Sequence, residues 1–222
     1  MDPISQATLG VVAAQSASDP RRLRAAAFLG CVAGLAPDID VFISSPTDPL
    51  LFLEFHRQFT HSLVFIPFGA LICSAMFYLA VRQYLSFKET FWFCLLGYAT
   101  HGLLDACTTY GTQLFWPFST YRVAWNNVSV IDPLLTVPAL ILMIAAIVKV
   151  RVNYARMAFA WTILICYWVS YKKSGRNSPR WNGSGPAGTI PSAWRPNPAL
   201  PICSCGRSCT SRMGCTTSTP FG

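Results

Sequence analysis

The sequence predicts an all-α, polytopic membrane protein of about five hydrophobic helices, followed by a disordered carboxy-terminal tail. Three observations predict this. Of the 222 residues, 53% are hydrophobic and 12% are charged, where a soluble domain carries about 25% charged residues. Four apolar stretches, 25–43, 61–81, 91–109 and 131–148, are long enough to read as spans, and a fifth, 157–171, is shorter than the ~20 residues a span requires. After Tyr171 the apolar pattern stops. Residues 1–10 carry no basic n-region and no cleavage site follows, so no cleaved signal peptide is expected.

Basic residues set the expected orientation. Arg21, Arg22 and Arg24 precede the first span, Arg82 and Lys88 separate the second from the third, and Lys149, Arg151 and Arg156 separate the fourth from the fifth. The positive-inside rule assigns these groups to the cytoplasm. The connections 44–60 and 110–130 hold only Arg57 and Arg122 and are expected to face outward. The expected protein is therefore multi-pass, with these two connections on the outer side of the membrane.

The segment 1–171 is expected to form one membrane-embedded domain and 172–222 a basic low-complexity tail. The tail has seven basic residues, Lys172, Lys173, Arg176, Arg180, Arg195, Arg207 and Arg212, and no acid. It is rich in Pro, Gly and Ser and has no hydrophobic period, so it cannot bury a core. Two readings compete: a tail that touches anionic lipid or nucleic acid, or out-of-frame translation or a truncated gene's extension. The abrupt break favours the second, and no nucleic-acid partner is expected. Cys31, Cys73, Cys94, Cys107 and Cys166 sit in apolar stretches and read as small buried hydrophobes. Cys203, Cys205, Cys209 and Cys215 lack the spacing of a zinc ribbon.

Function is read from the ionisable groups beside or within the spans, because charge at membrane depth is costly and marks sites. Asp38 and Asp40 close the first span behind Pro37, which limits its helix. They read as caps or turn residues, or as metal ligands. His56, Arg57, Thr60, His61 and Ser62 form the densest cluster. Five positions apart on a helix, His56 and His61 would not share a face. A loop-to-helix transition resolves this, with Thr60 as N-cap of the following span. An interfacial histidine pair without a ligand role is the plainer alternative. Arg57 is suited to hold a carboxylate or an anionic substrate group. His101 and Asp105, four residues apart, share one helix face within reach of one ion. Asp105 reads as a ligand or as an orienting partner of His101. Gly111 suits unusual backbone angles. Asp132 before Pro133 reads as an N-cap, with a role in the site as the alternative.

These residues together bring a family into view. Met1-Asp2-Pro3, Leu35-Ala36-Pro37-Asp38-Ile39-Asp40, His56-Arg57 with Thr60-His61-Ser62, Gly97-Tyr98 with His101 and Asp105, Thr109-Tyr110-Gly111-Thr112 and Ile131-Asp132-Pro133 resemble the YdjM-like family over roughly 1–150. Its members are described as bacterial inner-membrane metal-dependent hydrolases, so the resemblance implies a multi-pass protein of the cell inner membrane whose outer side is periplasmic. The resemblance implies Asp38, Asp40, His56, His61, His101 and Asp105 as metal ligands. It also shows one departure: the family pattern has a histidine near the start where this chain has Gln6, a poor ligand, which implies a weakened activity.

The chemistry that follows is hydrolysis at the outer membrane–water interface. A His/Asp site lowers the pKa of bound water and polarises a phosphoryl or carbonyl oxygen. The catalytic candidates are His101, Asp105 and Arg57, with His101 or an unligated carboxylate as general base. Zinc suits the histidines, and manganese or magnesium a more oxygen-rich set. The expected partners are membrane lipids and a small-molecule or lipid-linked substrate, such as a phosphoester or lipid-linked ester. The alternative is a membrane transporter or ion/proton relay that uses intramembrane His and Asp. A relay would spread its groups across the bilayer, whereas these gather on one side.

Overall fold

Proline and short polar side chains decide where helices begin. Asp2 precedes Pro3 and accepts from the Ser5 N–H at 3.0 Å, starting α1 (Pro3–Ser16). Asp132 precedes Pro133 and accepts from the Leu134 and Leu135 N–H groups, starting α5 (Pro133–Lys149). Asp132 is thus a cap, satisfying donors that a first helical turn leaves open. Ser86 and Glu89 form a reciprocal capping box at the start of α4 (Phe87–Ala106). The Ser86 N–H bond is the main cause holding the Glu89 carboxyl below its ordinary pKa. Ser86→Ala is expected to cost about 1 kcal/mol, read as a lower unfolding midpoint of the solubilised protein.

The computed structural model describes residues 1–42 and 57–177. Its remaining helices are α2 (Leu23–Leu35), α3 (Ile66–Val81) and α6 (Val152–Asn177). Among the described residues all regular structure is helical apart from one isolated bridge, Thr112 with Val123. Behind Leu35 the chain tightens into a 3-10 turn, Ala36–Phe42, as the proline at position 37 required. One compact unit covers Met1–Asn177, so α6 continues six residues past the expected boundary at Tyr171. The expected tail largely lies outside the described residues.

The five expected spans map onto α2 with its 3-10 extension, α3, α4, α5 and α6; α2, α3 and α5 are shorter than their apolar stretches, while α4 with 20 residues and α6 with 26 are not. No helix among the described residues is long and apolar enough to cross a membrane. The reasons are local. Pro37 shortens α2, α3 and α5 have 16 and 17 residues, and Lys88, Glu89 and Asp105 interrupt α4. α1, a helix with buried residues on every face, has no counterpart among the expected spans.

Three glycines explain how the helices meet. A Cβ on Gly30 of α2 would fall 2.4 Å from the Gly10 carbonyl oxygen of α1. One on Gly97 of α4 would fall 2.8 Å from the Gly30 carbonyl oxygen. Three backbones therefore touch with no side chain between them, as small residues permit in membrane bundles. α3 packs on α4, while α5 and α6 pair and both contact α1.

The outward faces are apolar. Phe68, Ile72, Met76 and Leu79 on α3, Ile141 and Val148 on α5, and Ile163 and Leu164 on α6 are all more than half exposed. Water-soluble monomers rarely show such continuous apolar surface. The two ends differ in charge. Arg22 pairs with Glu89, and Arg156 donates to the Ser16 carbonyl, gathering basic residues at the end where α1 stops and α4 and α6 start. The His/Asp groups lie at the opposite end. There the segment after α4 folds back, with Gly111 at φ +66° as its glycine allowed, and the Trp125 and Asn127 N–H groups donate to the Ala106 and Cys107 carbonyls at 2.7 Å.

Candidate metal centre

Three elements bring four donors to a single point. Asp38 comes from the 3-10 turn that ends α2, His61 from a short turn (Phe59–His61) before α3, and His101 and Asp105 from one face of α4. One donor atom from each lies within 4.8 Å of all the others. The His61 and His101 Nε2 atoms are 3.0 Å apart. Asp38 Oδ1 lies 3.1 Å from His101 Nε2 and 3.7 Å from His61 Nε2. Asp105 Oδ2 lies 3.5 Å and 4.0 Å from His61 and His101. A tetrahedral ion with ligands at about 2.0–2.1 Å has donor–donor edges of about 3.3–3.4 Å. The measured edges bracket that value.

The far sides of the rings decide which nitrogens carry hydrogen. His101 Nδ1 is 2.6 Å from the Gly34 carbonyl oxygen. A carbonyl only accepts, so Nδ1 donates, and in the neutral ring Nε2 is a bare lone pair. His61 Nδ1 faces Thr60 Oγ1 at 2.9 Å, and the Thr60 hydroxyl donates its own hydrogen to Asp40 Oδ2, also at 2.9 Å. The Thr60 oxygen therefore accepts from His61 Nδ1–H, and in the neutral ring His61 Nε2 is also a lone pair. Such partners on the remote nitrogen are what orient metal-ligating histidines. Two imidazole lone pairs and two carboxylate oxygens then face one another. Asp105 Oδ2 is buried and receives no hydrogen bond. Arg57 Nε, 3.2 Å away, is the positive charge beside it, and a cation among the four acceptors would further compensate their burial. The residues present fit a divalent ion.

Asp40 stands beside this set, not in it. Its Oδ2 is 3.4 Å from His61 Nδ1, on the far side of the ring, and accepts from the Arg57 N–H at 2.9 Å. The structure thus separates the two aspartates, one to each side of His61. Thr60 does not cap α3, which begins at Ile66 behind Phe65; its hydroxyl is spent on Asp40 and His61. Arg57 lies against the site with Nε 3.2 Å from Asp105 Oδ2, and its guanidinium stacks over the Tyr110 ring at 5.5 Å. Its Nη1 is buried without a hydrogen-bond partner. His56 lies outside the described residues.

Contacts on the outer oxygen of Asp105 went unread in the sequence. Asp105 Oδ1 accepts from the Met1 amino group at 2.6 Å and from Gln6 Nε2 at 2.9 Å. Gln6 thus faces the oxygen turned away from the four-donor point. The signal available was the Asp2-Pro3 helix start, which places Gln6 on the first turns of a helix. The Gly34 carbonyl left no mark, because backbone acceptors have no residue type.

The exposure of the four donors differs. The side chains of His61, His101 and Asp105 are fully buried, while that of Asp38 is 28% exposed. The centre therefore opens on the Asp38 side.

The family described as YdjM inner membrane protein matches residues 1–176. The uncharacterized protein YfhP of Bacillus subtilis (strain 168) is 32% identical over 116 residues, which cover 52% of this chain and 35% of that protein. The chain thus spans about a third of the length of this curated relative. No solved structure matches. On the match of 176 residues, which contains every element of the four-donor cluster, the chain belongs to the YdjM inner membrane protein family.

Proposed function

We propose that this protein is a membrane-bound metal-dependent hydrolase with one divalent site, suited best to zinc, at the outer membrane–water interface. The observation that carries the reading is the convergence of donor atoms from Asp38, His61, His101 and Asp105 within 4.8 Å of one another. Two imidazoles with two carboxylates favour zinc, whereas manganese and magnesium prefer more oxygen. When bound, such an ion acidifies water and polarises a phosphoryl or carbonyl oxygen.

The chain's own residues divide the remaining work. His61, His101 and Asp105 form the buried part of the holding set. Asp38, at the open side, completes the set through Oδ1, and its second oxygen, Oδ2, is placed to accept a proton as general base. Arg57, with Nη1 free of hydrogen bonds, holds an anionic group of the substrate, a phosphoester or lipid-linked ester. Asp40 and the Gly34 carbonyl position the two rings.

Placement in the bilayer is supported by the family description, the exposed apolar faces and the separation of basic end from site end. The positive-inside rule then turns the site outward. Helices of 16 and 17 residues, about 24–26 Å long, are shorter than a ~30 Å core, and local thinning of the bilayer takes up the difference. A proton or ion relay is less well supported, because the buried His and Asp side chains among the described residues collect at one end.

Elemental analysis of the purified, detergent-solubilised protein tests the reading. About one zinc per chain is expected, together with chelator-sensitive hydrolysis of bis(p-nitrophenyl) phosphate. Asp40→Asn is expected to weaken metal affinity about 10–100-fold, as lost orienting partners do. A protein that stays metal-free at saturating zinc would overturn the proposal.

A further inference from the structure

A second feature lies away from the metal centre, between α4 and α6. A cavity of about 770 Å³ opens there, within the ~300–1,000 Å³ range of sites that bury a whole ligand. Its lining changes along its length. At one end Leu9, Leu103, Phe159 and Ile163 make it apolar, and at the other lie Asn127, Ser170 and Lys173. Fourteen positions of α6 separate Phe159 from Lys173, about 21 Å. One leaflet of a ~30 Å hydrocarbon core is roughly 15 Å deep. The groove therefore has the length of one lipid leaflet plus part of its headgroup layer.

The polar end carries a positive charge without a matching acid. Lys173 Nζ donates to the Trp125 carbonyl at 2.7 Å, and among the described residues no carboxylate pairs with it. Asn127 Nδ2 donates to Ser170 Oγ at 2.7 Å beside it. Aromatic side chains mark the same level: Tyr167 and Tyr171 are each 67% exposed, and Lys172 lies 5.6 Å over the Trp168 ring. Exposed Tyr and Trp with snorkelling lysines are the signature of a membrane–water boundary. An apolar trough that ends in a cation at that boundary matches an amphiphile with an acyl chain and a negative headgroup.

We propose that this groove is a binding site for one anionic diacyl phospholipid, with an acyl chain along Leu103 and Ile163 and the phosphodiester at Lys173. The site shares the membrane placement proposed above but not the metal. The lipid headgroup sits at the same end of the bundle as the metal centre, since the Trp125 that Lys173 holds is itself bonded to the carbonyl of Ala106, the neighbour of Asp105.

Native mass spectrometry of the full chain, titrated with dioleoyl phosphatidylglycerol and separately with dioleoyl phosphatidylcholine, tests the site. Wild type is expected to bind one phosphatidylglycerol at least ten-fold more tightly than phosphatidylcholine. Lys173→Glu, a change at a half-buried position, should remove that preference. Ile163→Trp, which fills the trough from an exposed position, should weaken both lipids. Metal content measured on the same samples should stay unchanged, so failure here is distinct from failure of the hydrolase reading. Equal binding of both lipids by wild type, or unaltered phosphatidylglycerol binding in both variants, would refute the proposal. So would a dimer that Ile163→Trp converts to monomer, since a second copy would then be the occupant.

Discussion

Replacing His61 and His101 together by alanine will leave the purified protein without bound metal. Both rings point Nε2 at the same place, 3.0 Å apart, and their removal leaves only two carboxylates. Loss of a mere orienting partner weakens metal binding about 10–100-fold, and the loss of two ligands is expected to exceed the upper value. Hydrolysis should fall to background with it. The double variant also leaves the Gly34 carbonyl without the ring that now donates to it, at a cost of about 1–3 kcal/mol. Circular dichroism of the variant therefore belongs beside the metal assay. A folded double variant that still holds one ion per chain would place the ion elsewhere and end the reading given above.

The second large effect concerns packing. Gly30→Leu will prevent α1 and α2 from closing, and the protein should be recovered aggregated, not as a folded monodisperse species. A single added carbon already lands 2.4 Å from the Gly10 carbonyl oxygen and 2.8 Å from the Ala14 side chain. Overpacking ordinarily costs about 1–3 kcal/mol, but here the obstacle is backbone, which has no rotamer to yield. Gly30→Ala is expected to be a milder version that folds but binds metal more weakly. The link is structural: α2 supplies the Gly34 carbonyl that orients His101, and α1 supplies the Gln6 amide that holds Asp105. A separation of the two helices therefore moves two donors at once. Normal elution and full metal content in Gly30→Leu would show that the close approach is dispensable.

The helical class and the approximate places of five helices were legible in the chain, because apolar runs, Asp-Pro starts and Pro37 act locally. The i, i+4 pairing of His101 and Asp105 was legible for the same reason: helix geometry alone puts them on one face. α1 was not, since its fourteen residues carry Ser, Gln and Thr among the apolar positions and show no clean amphipathic stripe. The role of Asp40 was not legible either. Two carboxylates one residue apart look alike in a sequence, and only the turn of the backbone sends Asp38 to Nε2 of one ring and Asp40 to the opposite side of the other.

What the sequence by itself determined is therefore the inventory: helices of limited length, their caps, and the polar residue types embedded among apolar ones. What only the tertiary structure decided is which four atoms share a point, which nitrogen of each histidine faces it, and which charges meet Asp105, the Met1 amino group at one oxygen and Arg57 at the other. The reason is distance along the chain. Secondary structure is set by neighbours within a few residues, whereas His101 meets Asp38 across 63 positions and His61 across 40. Contacts of that span depend on three helices closing over Gly10, Gly30 and Gly97, where the absence of side chains lets backbones touch.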